Sequence, residues 1–331
     1  MKTIRKIGII GSGKMGSDIF NYLSDFDFNL IWFTRNTDHV DELKRTYQKK
    51  IHRQLKHGII SQDVFEFRKM YKITDNFNDV FDCDLIIESI IEDLDAKTEL
   101  FQKLDEITKP SCILASNTSS ILIHEIGQDI SGKGRMVGLH FFYPIAFKNI
   151  VEINFTDATD EIVKEKCRLF LDDIKRFYIE LNSESAFIIN RLLLEVQLKA
   201  TLLLNKFGLG YKQFDSIAKN VITEFGLFEM MDHVGHNTMY AAIMNYSRMG
   251  EDKRKYEPLL LEIKNTTINS GYQLFYEREQ KQAQIEESVE QQIIEELRKE
   301  IIQSLNTYST FYNIDINALR KGFDELCGII I

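Results

Sequence analysis

An imidazole, a carboxylate and a run of hydroxyls fall within one stretch of this chain, Cys112–Glu152. Ser116, Asn117, Thr118, Ser119 and Ser120 follow a short apolar run, Ile113–Ala115. His140 closes a second run, Met136–Leu139. Glu152 lies twelve residues further on, inside a third run made of Ile150, Val151 and Ile153. Each run reads as a strand. In an open α/β sheet, ligands sit outside the carboxyl ends of the strands, so side chains at successive strand ends converge on one site. A histidine with a carboxylate to orient it and stabilise its charge suits general acid–base catalysis near neutral pH.

The elements that must position these groups begin at the N-terminus. Lys6–Ile10 reads as a buried parallel strand, followed by Gly11-Ser-Gly-Lys-Met-Gly16 and a helical pattern through Met15, Ile19 and Leu23. This is the GxGxxG fingerprint between strand and helix. Gly11 allows the tight turn, Gly13 lets a pyrophosphate approach the backbone, and Gly16 lets the helix pack on the strand. The spacing predicts a second strand at Asn29–Phe33. An acidic residue is expected near its end, to hold the adenosine 2′-hydroxyl of NAD. Thr34 and Arg35 stand there instead. Without a carboxylate a 2′-phosphate is not repelled, and a guanidinium offers it bidentate recognition. The expected cofactor is thus NAD or NADP, with Thr34 and Arg35 tipping the reading to NADP. Asp38–Lys56 and Ser61–Met70 read as a helical hairpin inserted after this strand. Lys44, Arg45, Lys49, Lys50, Arg53 and Lys56 fall between Leu43 and Gln62, where there is no acidic residue. Further strands are expected at Asp84–Ile87 and Phe177–Leu181, and helices at Thr98–Ile107 and Glu161–Ile174.

Composition bounds the class. The chain has 331 residues, is 44% apolar and 27% charged, and carries a net charge of −9. That is ordinary globular composition with room for two domains, and its acidity argues against general nucleic-acid binding. Cys83, Cys112, Cys167 and Cys327 are scattered without metal-ligand spacing, so no metal site is expected and a reduced, cytoplasmic setting is. No apolar run approaches the ~20 residues of a membrane span.

The central stretch closely resembles the 3-hydroxyacyl-CoA dehydrogenase family. Its members carry SNTSS, then Gly-Leu-His-Phe-Phe-Asn-Pro, then Val-Glu. Here these are Ser116–Ser120, Gly138–Pro144 and Val151-Glu152. The resemblance implies a general base, His140, partnered by Glu152, with Ser119 and the Asn190 of the segment IINRLL bonding the substrate oxygens. It implies that Glu92 and Lys97, which follow Glu88 in a similar segment, lie beside cofactor and substrate, and that Met15 and Asn117 contact the cofactor. It places the basic hairpin near the CoA. A phosphorylated pantetheine carrier, on CoA or on an acyl carrier protein, is therefore an expected partner, with Lys49, Lys50 and Arg53 as candidate contacts. Tyr143, standing where the family has Asn, adds bulk beside nicotinamide and substrate. Other departures are Ala186, Tyr272 and the absence of a Pro-Met-Gly-Pro run before Phe228.

From Ile188 the texture changes to helix. Ile189, Leu192, Val196, Ala200, Leu203 and Phe207 form one apolar stripe, and Ile285, Val289, Ile293, Leu297, Ile301 and Leu305 a second. The second stripe, followed by Asp315 and Ala318–Leu326, echoes the helix-then-Asp pattern of 190–219 as a degenerate half-repeat. Ser270 and Gly271, with Phe275 and Tyr276, distantly resemble the family's Ser-Gly-Lys-Gly-Phe-Tyr ending. The expected architecture is α/β: a Rossmann-type doubly wound sheet over 1–184 with a hairpin insert at about 38–70, then an all-α domain over 185–331 with an extension from about 280. Family members commonly dimerise through the helical domain, so a homodimer is expected. The expected activity is reversible oxidation of a short 3-hydroxyacyl thioester by NAD or NADP. A carrier-bound hydroxyacyl group, a free hydroxy acid, or nucleotide binding without catalysis are the alternatives.

Overall fold

The computed structural model describes residues 4–182, 187–219, 221–248, 253–268, 274–277 and 284–328. Ala186, Ser270, Gly271 and Tyr272, singled out above, lie outside the described residues. The chain divides into two compact units, Met1–Ala186 and Phe187–Ile331.

The first unit is one eight-stranded sheet with flanking helices. Its strands are β1 Lys6–Ile10, β2 Asn29–Phe33, β3 Lys72–Thr74, β4 Leu85–Glu88, β5 Ile113–Ser116, β6 Met136–Phe141, β7 Ile150–Phe155 and β8 Phe177–Leu181. Their order is β3-β2-β1-β4-β5-β6-β7-β8. The chain leaves β1, forms β2 and β3 on one side, then crosses back to β4 on the other. That reversal is the switch point at which doubly wound sheets bind ligands. All neighbours are parallel except β6 and β7. The strands read as continuous apolar runs because helices cover both faces of a parallel sheet. Ile7, Ile9, Leu85, Ile87, Val137, Leu139 and Ile153 are fully buried.

The helices of this unit are α1 Lys14–Leu23, α2 Thr37–Lys56, α3 Gln62–Lys69, α4 Leu94–Ile107, the single turn α5 Ile123–Ile126, and α6 Glu161–Asp173. Asn36 caps α2 by accepting from the Asp38 N–H, and Ser61 caps α3 by accepting from Val64. The hairpin of α2 and α3 buries Val40, Tyr47, Ile51 and Phe65. Two departures from the sequence reading have local causes. β3 escaped notice because it is three residues long, too short to show a period. Helix α4 begins at Leu94, four residues before Thr98, because the Asp93 side chain accepts the Ala96 N–H and caps it there.

The described part of the second unit is helical: α7 Ile188–Phe207, α8 Tyr211–Ala218, α9 Leu227–Val234, α10 His236–Arg248, α11 Glu257–Ile268, α12 Glu287–Tyr312 and α13 Ile316–Cys327. Helix α7 is its axis, with Ile189, Leu192, Val196, Ala200 and Leu203 buried and α11, α12 and α13 packed on it. The second apolar stripe becomes Ile293, Leu297, Ile301 and Leu305 of α12, all buried and directed at this unit's own core.

The half-repeat takes a different alignment from the one its aspartates suggest. Gly208 and Asn313 both end their helices in the left-handed conformation, and Leu209 and Ile314 both donate back five residues. Gly210 and Asp315 then occupy the two N-cap positions. Asp315 therefore matches Gly210. Asp215 lies inside α8 and accepts the N–H groups of Phe228 and Glu229 at the start of α9. We predict that Leu297→Ala, which opens a cavity between α12 and α7, lowers stability by about 2–5 kcal/mol. Urea unfolding of the two proteins checks this, and a loss below about 0.5 kcal/mol, the range of surface substitutions, would place the stripe outside the core.

Candidate active site

His140 and Glu152 meet because β6 and β7 run antiparallel. In the ladder His140 lies directly opposite Glu152, and facing residues of an antiparallel pair present their side chains on the same face. Glu152 is thus delivered from within β7, which corrects the picture of three parallel strand ends. The His140 Nδ1 and Glu152 Oε2 are 2.8 Å apart, with the carboxylate fully buried and the imidazole 5% exposed. An ionised carboxylate only accepts, so Nδ1 carries the proton and Nε2 the basic lone pair. Phe142 packs on the imidazole with centroids 4.3 Å apart. The half-buried Asn117, expected at the cofactor, uses its Oδ1 to accept the Phe141 N–H at 2.8 Å and so fixes the end of β6.

The serine-rich turn after β5 is organised by Glu92. One oxygen, Oε1, accepts from the Thr118 hydroxyl, the Ser119 N–H, the Ser120 N–H and the Ser120 hydroxyl at 2.5–3.0 Å. The other, Oε2, lies 3.4 Å from the Lys97 ammonium. Glu92 stands just before Asp93, the cap of α4. Lys97 is 1% exposed and donates to Glu88 Oε1 at 2.6 Å. Glu88 also accepts from the Ser116 hydroxyl and the Ile90 N–H. One buried cation thus holds two carboxylates, which gather the ends of β4 and β5. Burial pushes the Glu92 carboxyl up, but Lys97 and the hydrogen bonds from Thr118, Ser119 and Ser120 outweigh it and hold the group below the usual carboxylate range.

The glycine turn fits a dinucleotide. Gly11 has φ +119° and lies against the Ser89 carbonyl, and a side chain at Gly16 would collide with the Gly11 carbonyl. At Gly13 an added Cβ would meet nothing within 4 Å, leaving the backbone open where a pyrophosphate must approach. Sequence reasoning missed what braces this turn. Trp32 Nε1 donates to the Gly11 carbonyl at 2.8 Å, and the Ser12 and Thr34 hydroxyls are 2.9 Å apart. Thr34 is therefore buried and turned inward, while Arg35 is exposed. Met15, expected at the cofactor, is partly buried and packs against the core.

The segment after His140, residues 142–149, is held at three points. Asp18 Oδ2 accepts the Ile145 N–H at 2.7 Å, and the buried Arg176 donates to the Ile145 and Lys148 carbonyls. No sequence pattern announced Arg176. Tyr143, 45% exposed, lies in this segment with the Lys14 ammonium 4.0 Å from its ring centroid. On α2, Lys50 also has a structural partner. It donates to Asn21 of α1 at 2.9 Å and anchors the hairpin, as Arg68 does through Asp25. Arg45, Lys49, His52, Arg53 and Lys56 fall opposite the buried face of α2, and Arg45, Gln48, Lys49 and His52 line a shallow depression of about 410 Å³. Asn190 is in the first turn of α7 and partly buried.

We predict that Glu92→Gln destabilises the first unit by about 1–3 kcal/mol at pH 7, since it removes one of the two counter-charges of Lys97 and weakens four hydrogen bonds. The sign with pH follows. A carboxyl held low in the fold contributes its stability above the unfolded value of about 4.3 and loses it as pH falls through the folded value. The gap between wild type and variant, read by urea unfolding, should therefore close on acidification. A gap independent of pH would contradict the assignment.

Both units of the chain match known proteins. The family profile described as 3-hydroxyacyl-CoA dehydrogenase, NAD binding domain, matches residues 6–184, and that of the family's C-terminal domain matches 187–293. The chain is 27% identical over 264 residues to the 3-hydroxybutyryl-CoA dehydrogenase of Bradyrhizobium diazoefficiens, covering 79% of this chain and 89% of that protein. It is 27% identical over 262 residues to the 3-hydroxybutyryl-CoA dehydrogenase of Clostridioides difficile, covering 78% and 93%. Among solved structures, M. tuberculosis FadB2 superposes with a TM-score of 0.71 at 25% identity, covering 80% of this chain and 94% of that one. Most of α12 and all of α13 lie beyond the matched C-terminal domain. With its nicotinamide-binding fold, its glycine turn and both of the family's domains in order, the chain belongs to the 3-hydroxyacyl-CoA dehydrogenase family.

Proposed function

We propose that this protein interconverts a short 3-hydroxyacyl thioester and its 3-keto form, with NAD or NADP as partner. The observation that carries the reading is the buried His140–Glu152 pair, on a sheet whose first turn is built for a dinucleotide. The relatives' names, 3-hydroxybutyryl-CoA dehydrogenase, support the thioester. The nicotinamide, when bound, supplies or takes up a hydride at the substrate's C3. His140 does the proton work. Its Nε2 takes the proton of the 3-hydroxyl during oxidation and returns it to the 3-keto oxygen during reduction. Glu152 holds the tautomer that leaves Nε2 basic and stabilises the imidazolium. The Ser119 backbone is pinned through Glu92, and its hydroxyl is the proposed donor to the reacting oxygen. Asn190 is proposed as a further donor to substrate, with Asn190→Ala kinetics as its test.

For the cofactor we favour NADP. The end of β2 has no carboxylate, Thr34 is engaged with Ser12, and the exposed Arg35 is the group left to meet a 2′-phosphate. For the carrier, the outward basic stripe of α2 supports a phosphorylated pantetheine, and an acyl carrier protein is the second reading. Within it Lys49 and Arg53 are the proposed contacts, since Lys50 is spent on Asn21.

We predict that His140→Ala lowers kcat with acetoacetyl-CoA by at least the ~10²–10⁴-fold typical of a lost acid–base group, with cofactor affinity unchanged. Unchanged kcat would remove His140 from the reaction. Wild-type turnover should favour NADPH over NADH, and Arg35→Ala should weaken NADPH alone. Turnover of free hydroxy acids in place of thioesters, or cofactor binding without turnover of either, would each overturn the thioester reading.

A further inference from the structure

Lys14 is the first residue of α1, inside the glycine turn, and it is exposed. A cation there opposes the helix macrodipole, whose positive end is at the N-terminus. The first turn of α1 contains no acidic residue to offset it. Asp18, one turn further along the helix, accepts the Ile145 N–H at 2.7 Å. The Lys14 ammonium rests instead over the Tyr143 ring, 4.0 Å from its centroid. Asp18 and Arg176 tie the backbone just after Tyr143 to α1 and to the end of α6. The aromatic face is thus held near the start of α1, where the charge can rest on it.

We propose that Lys14 is a phosphate-binding residue of the dinucleotide site, which leaves the Tyr143 face to bind the pyrophosphate common to NADH and NADPH. The inference rests on dinucleotide binding and not on the thioester reading. A pyrophosphate brings two negative charges to the start of α1, where the backbone offers N–H dipoles and no full charge. Gly13, beside Lys14, leaves the approach open. A compact ammonium on a four-carbon stem can swing from ring to phosphate, and a charge-assisted hydrogen bond to phosphate is stronger than an exposed cation–π contact. Tyr143 then has a role for its bulk: it keeps the lysine over the turn.

The test is the affinity of the whole protein for NADH, NADPH and ADP-ribose, read by calorimetry or by the fluorescence of Trp32. That residue is the single tryptophan of the chain and is bonded to the glycine turn. Lys14→Gln should raise all three dissociation constants by the same factor, about 10–100-fold, the weight of one charge-assisted hydrogen bond. It should also flatten their dependence on salt. Lys14→Arg should retain most of the affinity, and Tyr143→Leu, which removes a contact made only in the free protein, should leave the affinity unchanged or raise it slightly. Equal affinities for wild type and Lys14→Gln would overturn the proposal, as would a loss confined to NADPH, which would mean the 2′-phosphate. A raised KM for the thioester with dinucleotide affinities unchanged would also overturn it. If wild type bound none of the three, the dinucleotide reading itself would fall, and this inference with it.

Discussion

The site depends on one hydrogen bond that exists because the sheet reverses direction between β6 and β7. Seven parallel strands in succession would bring polar groups to one edge of the sheet but would leave Glu152 at a different height. The reversal between β6 and β7 sets it opposite His140, at hydrogen-bonding distance and out of water. A carboxylate buried to this degree is costly unless it is bonded, so the pair holds its own geometry. The orientation of the imidazole, the tautomer and the position of the basic nitrogen all follow from that bond.

The rest of the first unit reads as support for the surroundings of this pair. Asn117 fixes the residue after His140, and Arg176 with Asp18 fixes the segment beyond it. Glu92 gathers four donors of the serine-rich turn on one oxygen while Lys97 links it to Glu88. Lys97 and Glu88 are fully buried in this network, and Glu92 is partly so. Such networks are costly to break one member at a time, which favours a single arrangement. The glycine turn is braced separately, by Trp32 and by the Ser12–Thr34 contact.

Much of this was legible in the sequence because it follows from local period and spacing. The glycine fingerprint, strands β1, β2 and β8, and the two long stripes of α7 and α12 show themselves within a window of a few turns. The His140 and Glu152 residues were legible as types at a spacing. Their relation was not, since a run such as Ile150, Val151 and Ile153 says nothing about strand direction. The partner of Lys50 was hidden for a related reason. The lysine's charge is visible in sequence, but which way it points depends on Asn21 in another helix. Arg176 and Glu88 act at sequence separations that no period spans. The half-repeat was visible as a pattern, but its alignment depended on the left-handed residues Gly208 and Asn313, which mark the turn better than the aspartates do.

The account stands or falls on the tautomer that Glu152 imposes. The most direct measurement is kcat for acetoacetyl-CoA reduction in Glu152→Gln beside wild type, together with the affinity of each for the dinucleotide. A glutamine amide can donate to Nδ1 and so move the ring proton to Nε2, which would strip the base without emptying the site. The account predicts a fall in kcat of about 10²–10⁴-fold with dinucleotide affinity unchanged. A variant that turns over at the wild-type rate would contradict it, because the proton could then not depend on the bond that organises the site.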